Sequence, residues 1–308
     1  MRVAVSGCSG HVGRAVVRGL TRRGHTVLGL DCDDGALARL QQGAPELLVA
    51  HLDLRAVRSS LGALADFRPE GAIHLAWQGV GAGDRDSVPQ LTTNVSGTLE
   101  FLQVVHEAGG AAFVGLGSQA EFGPYDVPLR EDLAAWPRTA YGVAKLAAGL
   151  LTQKLAELCG MRHAWVRLTA SYGPHDDRAH LIPGVITALL HGVEPVLTEG
   201  RQECDYLYVD DVADALIATL ETGTAAGPYV LGSGEAVTVR RLCEFVRERM
   251  DSKVPLTFGA VPYRDDQVMH IVADPARLRE ATGWFPRTSL EDGLTLTIDH
   301  LRASEEPS

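Results

Sequence analysis

The sequence lacks the features that mark membrane, nucleic-acid-binding and disulfide-linked proteins. No stretch approaches the ~18 uncharged apolar residues that a bilayer span requires. Basic residues are in the minority, with 28 Lys and Arg against 39 Asp and Glu, and a net charge of −11 repels nucleic acid and anionic membranes. The five cysteines form no Cys-x-x-Cys pair, and the chain opens directly into a predicted strand without a secretory leader. A reduced, cytoplasmic setting is therefore expected, with neither nucleic acid nor membrane as partner.

What is present is typical of a globular domain, with 45% hydrophobic and 22% charged residues. In the first half, short apolar runs alternate with segments of helical periodicity. The predicted strands are 3–5, 26–30, 47–51, 72–76, 112–116 and 164–168, and the predicted helices are 11–22, about 91–105 and 140–159. This alternation predicts an α/β fold with a doubly wound parallel sheet.

The pattern changes after about residue 169, where Pro and Gly become frequent and the elements shorten. We predict a dinucleotide-binding Rossmann domain over residues 1–168, rejoined by about 206–232. Residues 169–308 are predicted to form a smaller α+β lobe that binds the substrate.

A glycine-rich turn follows the first predicted strand. Gly7 permits the tight turn, Gly10 allows the backbone to approach a pyrophosphate, and Gly13 allows the following helix to pack close to the sheet. The N–H groups of that helix would bind the phosphates. The same turn holds Ser9, His11 and Val12.

Asp31 ends the second predicted strand, about 20 residues beyond the turn, where a carboxylate binds the adenosine ribose. Asp33 and Asp34 follow, and no Arg or Lys lies between Asp31 and Ala38, so a 2′-phosphate would meet several negative charges. One such contact at ~4 Å costs about 4 kcal/mol at an effective dielectric of ~20. NAD(H) is therefore favoured, with NADP(H) as the alternative. The two later aspartates could equally cap a helix, and Asp53 could meet the adenine or be a solvated turn residue.

Tyr141 and Lys145 lie four residues apart on one face of the long predicted helix. An ammonium ~4 Å from the phenol would lower the phenol pKa by about three units, towards neutrality, where general acid–base catalysis works best. Ser118 ends the preceding strand, where its hydroxyl could bind the reacting oxygen of a substrate or only cap a turn.

In these motifs the sequence resembles the extended short-chain dehydrogenase/reductase family, particularly its members that act on nucleotide-diphosphate sugars. The resemblance spans nearly the whole chain and rests on Gly7, Gly10 and Gly13, Asp31, Asp53, His74-Leu75-Ala76, Asn94 to Thr98, Ser118 with Phe122-Gly123, Tyr141 and Lys145, Arg167 with Tyr172-Gly173-Pro174, Tyr208 to Asp211, and Gly283 to Pro286.

The resemblance implies that Ser118, Tyr141 and Lys145 form the active centre and that the second lobe binds the nucleotide sugar. It also implies a homodimer that pairs the helices of residues 91–105 and 140–159. Further cofactor contacts are implied for Leu54, Leu75, Ala76, Trp77, Asn94, Lys145 and Tyr172.

Departures from the family pattern narrow the expected activity. Gln119-Ala120 replaces the Asp-Glu pair of the dehydratases, so elimination of water is not expected. Ala170 and Cys204 stand where relatives carry residues that hold the diphosphate. Arg201 and Arg264 are the predicted replacements, because a guanidinium binds phosphate bidentately. Gln78 and Gln119 complete the predicted substrate-binding set.

We therefore predict NAD(P)-dependent reduction of a nucleotide-diphosphate 4-keto-6-deoxyhexose. The alternative is an NAD-dependent nucleotide-sugar 4-epimerase; a non-catalytic NAD sensor and a reductase of a small carbonyl compound are further alternatives. The polar group formed by His175, Asp176, Asp177 and His180 has no zinc-like spacing, so we predict a rim loop and no metal site.

Overall fold

The computed structural model describes residues 1–264 and 267–305. Its strands are β1 (Arg2–Ser6), β2 (Thr26–Asp31), β3 (Leu48–His51), β4 (Gly71–His74), β5 (Ala112–Ser118), β6 (Arg162–Leu168), β7 (Ala170–Tyr172), β8 (Val196–Leu197), β9 (Glu203–Cys204), β10 (Tyr206–Tyr208), β11 (Gly227–Leu231), β12 (Val237–Thr238), β13 (Thr257–Phe258) and β14 (His270–Ile271). Its α-helices are α1 (His11–Arg22), α2 (Asp34–Gly43), α3 (Leu61–Phe67), α4 (Val95–Glu107), α5 (Ala140–Cys159), α6 (Leu181–Leu190), α7 (Val209–Glu221), α8 (Val239–Arg249), α9 (Ala276–Thr282) and α10 (Leu290–Glu305).

In this described part of the chain, seven parallel strands form the main sheet in the order β11-β6-β5-β4-β1-β2-β3. The predicted α/β fold with a Rossmann-type sheet is confirmed. Strand β11 joins the sheet beside β6, so the second half of the chain completes a sheet begun by the first. The division into two domains near residue 168 stays a prediction.

Helices cover both faces of the sheet because its strands are apolar on both sides. Val3 and Val5 pack in one cluster with residues of α1 and α7, whereas Ala4 between them packs in another with residues of α3, α4 and α5. This division follows from the period of two along a strand. The two-sided burial explains why the strands read as continuous apolar runs rather than alternating ones.

The remaining strands are short and lie outside the main sheet. They pair as β10 with β7, as β12-β9-β14, and as β13 with β8. Among the described residues, no helix is both long enough and apolar enough to cross a membrane.

The carboxyl ends of the central strands lie at one edge. Ser6 at the end of β1 is the register partner of His74 at the end of β4, and Ser118 at the end of β5 is the partner of Leu168 at the end of β6. The loops that follow these strands therefore start side by side, and they form the cavity described next.

Candidate active site

A cavity of about 770 Å³ lies at the carboxyl edge of the sheet. Its walls come from the segments after β1 to β6, from α5 and from the start of α6. The residues predicted from the sequence that line it are Gly7, Ser9, Gly10, His11, Val12, Gly13, Asp31, Asp53, Leu54, Leu75, Ala76, Trp77, Gln78, Ser118, Gln119, Tyr141 and Lys145. The cavity thus brings the glycine turn, the Asp31 carboxylate and the Tyr141 helix to one space.

The turn after β1 can be built only with glycine at two positions. Gly7 has φ +70°, and a Cβ there would lie 2.7 Å from the Ala76 backbone nitrogen. A Cβ on Gly13 would lie 2.0 Å from the Gly7 carbonyl oxygen. Gly10 is the N-cap of α1 and supplies no side-chain cap, so the first N–H groups of the helix remain available to an anion.

His11 adds a polar atom to this turn. Its Nδ1 lies 2.9 Å from the Pro174 carbonyl oxygen, whereas its Nε2 is buried and has no hydrogen-bond partner among the described residues. The carbonyl can only accept, so Nδ1 carries the proton, and burial lowers the pKa of His11 and keeps the ring neutral. Nε2 is therefore an acceptor, which suits a ligand hydroxyl and not a phosphate oxygen.

The adenosine end of the cavity is acidic. The Asp31 carboxylate accepts hydrogen bonds from the Ser9 N–H at 3.0 Å and from the Ser9 hydroxyl at 2.7 Å. Asp53 forms an ion pair with Arg55 at 2.6 Å, and the hydrogen bonds from Arg55 lower the Asp53 pKa to about 2. This end fits the hydroxyls of a ribose, with Arg55 as a cavity residue that sequence reasoning missed.

The structure shows which of two roles Asp33 has, a charge facing the cofactor or a helix cap. Its carboxylate accepts the Ala36 N–H at 2.9 Å and so caps α2, while Asp34 pairs with His51 at 2.8 Å. Neither residue lies on the cavity wall.

Tyr141 and Ser118 both line the other end of the cavity. The Lys145 Nζ donates to the Leu116 carbonyl oxygen at 2.7 Å and lies 3.8 Å from the centre of the Trp77 ring. The same ring meets the Tyr141 ring edge-on, with centres 6.0 Å apart. A carbonyl oxygen and an aromatic face both stabilise an ammonium, so Lys145 is held beside the phenol.

Burial of this site acts against the expected lowering of the Tyr141 pKa. Burial raises the pKa of Tyr141 above its ordinary value, against the Ser118 hydroxyl and the nearby charge of Arg85, which lower it. Burial lowers the pKa of Lys145 to about 7, against the charge of Glu121, which raises it. The lysine is therefore the group that titrates near neutrality, because removal from water disfavours the charged form of both groups.

This arrangement can move a proton at one oxygen. The Tyr141 hydroxyl keeps its proton at neutral pH and can give it to an alkoxide, while the Ser118 hydroxyl can bind the same substrate oxygen. A charged Lys145 stabilises the phenolate that forms when the proton leaves.

Four residues predicted for the site lie away from the cavity wall. Asn94 is fully buried, and its side chain bonds both the N–H and the carbonyl of Gln78, so it supports the wall from behind. Tyr172 is packed in the core, where its hydroxyl donates to the Leu290 carbonyl oxygen. Arg201 is exposed and pairs with Glu199 at 3.0 Å, and Arg264 is exposed as well.

Sequence reasoning also missed two charged residues beside the Tyr141 site. Glu121 is fully buried and accepts hydrogen bonds from the Ser118 N–H and from the side chains of Trp165 and Arg167. The sequence feature that could have identified Glu121 is a Ser-x-x-Glu capping box that starts at Ser118. Arg85 lies on the cavity wall in a loop whose sequence carries no periodic signal.

Two curated proteins are similar to this chain over much of its length. The UDP-glucose 4-epimerase of Mycolicibacterium smegmatis is 28% identical, covering 98% of this chain and 99% of that protein. The GDP-6-deoxy-D-mannose reductase of Pseudomonas aeruginosa is 28% identical, covering 76% of this chain and 81% of that protein.

Solved structures share the fold. The UDP-glucose 4-epimerase of Thermotoga maritima, solved with UDP-glucose, superposes with a TM-score of 0.91 at 25% identity, covering 99% of this chain and 100% of that one. MoeE5, solved with UDP-glucose and NAD, superposes with a TM-score of 0.84 at 26% identity over the same shares of the two chains.

The sequence model of one family covers most of the chain. Residues 3–232, from the first strand through β11, match the NAD dependent epimerase/dehydratase family. This range contains the glycine turn, Asp31 and the Ser118, Tyr141 and Lys145 cluster. The chain therefore belongs to the NAD dependent epimerase/dehydratase family of enzymes.

Proposed function

We propose that this chain transfers a hydride at carbon 4 of a nucleotide-diphosphate sugar and that its net reaction is 4-epimerisation. One observation carries the proposal: Ser118, Tyr141 and Lys145 face the same cavity as the glycine turn and Asp31. The sequence alone favoured reduction. Epimerisation now comes first because the UDP-glucose 4-epimerase of M. smegmatis aligns with 98% of this chain.

The residues present fit NAD. The α1 N-terminus would bind the pyrophosphate, Asp31 the adenosine ribose, and Lys145 the nicotinamide ribose. When bound, NAD accepts a hydride from the sugar and returns it. No residue between Asp31 and Ala38 is basic, which supports NAD(H) over NADP(H).

The residues then act on one oxygen. Oxidation at carbon 4 requires Tyr141 as the phenolate, the form that a charged Lys145 stabilises against the effect of burial. The phenolate oxygen would then take the proton of the 4-hydroxyl while the Ser118 hydroxyl binds the resulting ketone. In the return step Tyr141 gives the proton back to the alkoxide. If the bound keto sugar has rotated between the two steps and presents its opposite face, the product is the 4-epimer.

The second candidate is net reduction of a 4-keto-6-deoxyhexose nucleotide. The similarity to the GDP-6-deoxy-D-mannose reductase of P. aeruginosa favours it. The same residues would act in this reaction, but Tyr141 would only donate its proton. One reduced cofactor would be consumed in each turnover.

The test incubates the purified protein with UDP-glucose, and separately with GDP-, CDP- and dTDP-sugars, without added cofactor. Chromatography of the products should show the 4-epimer. In parallel, NADH or NADPH with 4-keto-6-deoxy sugar nucleotides should leave the reduced cofactor unconsumed. Consumption in that assay without epimerisation would establish the second candidate, and silence in both assays would refute both.

Tyr141→Phe is the diagnostic variant. Loss of the acid–base hydroxyl should lower turnover by about 10²- to 10⁴-fold. Tyr125→Phe is the control, because the Tyr125 hydroxyl donates to the Ala134 carbonyl and lies outside the cavity. Equal activity in the two variants would exclude Tyr141 as the proton donor.

A further inference from the structure

Arg85 is a half-buried arginine on the cavity wall, and no described residue forms an ion pair with it. Its Nε is buried and has no hydrogen-bond acceptor among residues 1–264 and 267–305. No carboxylate in that described part forms an ion pair with it, whereas the cavity residue Arg55 is paired with Asp53. A buried guanidinium nitrogen without an acceptor is costly, so the site is suited to an anion that enters from the cavity.

The backbone of Arg85 is tied to the helix that carries the phenol. The Arg85 carbonyl accepts the Tyr141 N–H at 2.8 Å, and the neighbouring Asp86 carboxylate accepts the Ala140 N–H at 2.8 Å. These two N–H groups belong to the first turn of α5, where a helix has no acceptors of its own. Arg85 is therefore held at a set distance from Tyr141, and its charge lowers the phenol pKa.

A second polar group lines the same wall. His180 bonds the Asp176 carboxylate through Nδ1 at 2.7 Å, which raises its pKa, and the charge of Arg85 acts in the opposite direction. His180 is also the N-cap of α6, whose first residues, Leu181 and Ile182, line the cavity. The dipole of this ten-residue helix adds a partial positive charge at the same place.

The two ends of the cavity therefore differ in charge. The adenosine end holds Asp31 beside the paired Asp53 and Arg55. The other end holds Arg85, near Tyr141, beside the paired His180 and Asp176. In a protein with a net charge of −11, this second end is suited to the negative part of a substrate. A diphosphate attached to carbon 1 of a sugar lies one ring away from carbon 4, within reach of an arginine side chain.

We propose that Arg85, with His180 beside it, binds the diphosphate of the nucleotide-sugar substrate. This inference rests on the proposed function and deepens it. Arg85 takes the place that the sequence assigned to Arg201 and Arg264, neither of which lines the cavity. A guanidinium is suited to the task because it can bind two phosphate oxygens at once.

The test measures binding of UDP, GDP, CDP and dTDP to the whole protein by titration calorimetry. Arg85→Gln should weaken the best of these ligands by about tenfold or more, and Arg85→Lys, which keeps the charge but not the fork, by less. Arg201→Gln is the matched control and should change affinity by less than about twofold, since an exposed ion pair contributes little. NAD affinity should be the same in all variants, which shows that each is folded.

The outcomes separate the two proposals. If the wild type binds none of the four diphosphates, both the nucleotide-sugar function and the role of Arg85 are refuted. If the wild type binds one and Arg85→Gln binds it equally well, the role of Arg85 is refuted and the function stands. A loss in Arg201→Gln as large as that in Arg85→Gln would also overturn the assignment.

Discussion

Glu121 is a buried carboxylate with three donors and no contact with water. The Ser118 N–H and the Trp165 indole N–H each lie 2.9 Å from Oε1, and the Arg167 Nε lies 2.7 Å from Oε2. One residue thus fixes the backbone of Ser118 and supplies the negative charge that favours the protonated form of Lys145. We propose that it positions the active centre without touching the substrate.

Removal of that charge should destabilise the protein. Glu121→Gln leaves the buried Arg167 guanidinium without a carboxylate, and breaking a buried pair costs about 3–5 kcal/mol in free energy of unfolding. Glu157→Gln, in the exposed pair with Lys154, should cost no more than about 0.5 kcal/mol. Urea unfolding of both variants measures the difference, and equal losses would contradict this account.

The pH dependence of turnover should reflect the titration of Lys145. Because its pKa is lowered to about 7, the ammonium is present below pH 7 and is lost as the pH rises through that value. Turnover that needs the ammonium should then fall on the alkaline side. Glu121 raises the Lys145 pKa, so Glu121→Gln should move this limb to lower pH.

Steady-state rates across pH 5 to 9 test that shift. Glu157→Gln serves as the reference, and its limb should coincide with that of the wild type. A limb that stays in place in Glu121→Gln would show that Lys145 does not set it.

At the scale of elements, the glycine turn and α1 form one unit. The helix can start where it does only because the Gly13 backbone lies against the Gly7 carbonyl. The amphipathic helix then buries Val16, Val17 and Leu20 against the sheet.

Two glycine-to-alanine variants should differ in their effects: one should weaken NAD binding, and the other should stabilise the protein. The Cβ of Gly13→Ala would lie 2.0 Å from the Gly7 oxygen, so the turn must open and NAD affinity should fall at least about tenfold. Gly62, inside α3, has nothing within 4 Å of the added Cβ, and Gly62→Ala should stabilise the protein by about 0.5–1 kcal/mol. Cofactor titration and thermal unfolding of both variants test this, and unchanged NAD binding in Gly13→Ala would argue against the turn as the phosphate site.

Much of the main sheet could be predicted because both of its faces are covered. Such strands are short apolar runs between helices, and that pattern is local in the sequence. The glycine turn and the Tyr141 and Lys145 pair could be predicted for the same reason: each is a short motif within one strand–helix unit.

The charged residues of the substrate end could not be predicted this way. Arg85 lies in a loop without periodicity, and its importance depends on contacts with α5, more than 50 residues later. Arg201 has the right chemistry, yet packing of the short strands leaves it on the surface beside Glu199. Tyr172 belongs to a family motif, but β7 and β10 enclose its ring among other tyrosines.

At the scale of the whole molecule, α5 presents an apolar stripe outward. Val143, Leu150, Leu151 and Leu158 lie at helical spacing, and Leu150 and Leu158 are 58% and 74% exposed. Helix α4 packs beside α5. We propose that a second copy of the chain covers this stripe, as the resemblance to the family implies.

A charge placed in the stripe should separate the two copies. Light scattering after size exclusion should give a dimer for the wild type and a monomer for Leu150→Arg, because a dimer would bury the new guanidinium without a partner. Leu296→Arg is the control, since Leu296 is an exposed leucine on α10. A monomeric wild type would refute the dimer.

The hydrogen bonds from Asp86 and Arg85 to the start of α5 have one more consequence. Since the loop of residues 79–89 supplies acceptors to the helix that carries Tyr141, the proposed diphosphate contact of Arg85 and proton transfer by Tyr141 both depend on the conformation of this loop. An insertion or deletion in this loop would change substrate choice and turnover rate together. Engineers who wish to alter one without the other should leave residues 84–86 intact and vary the opposite wall.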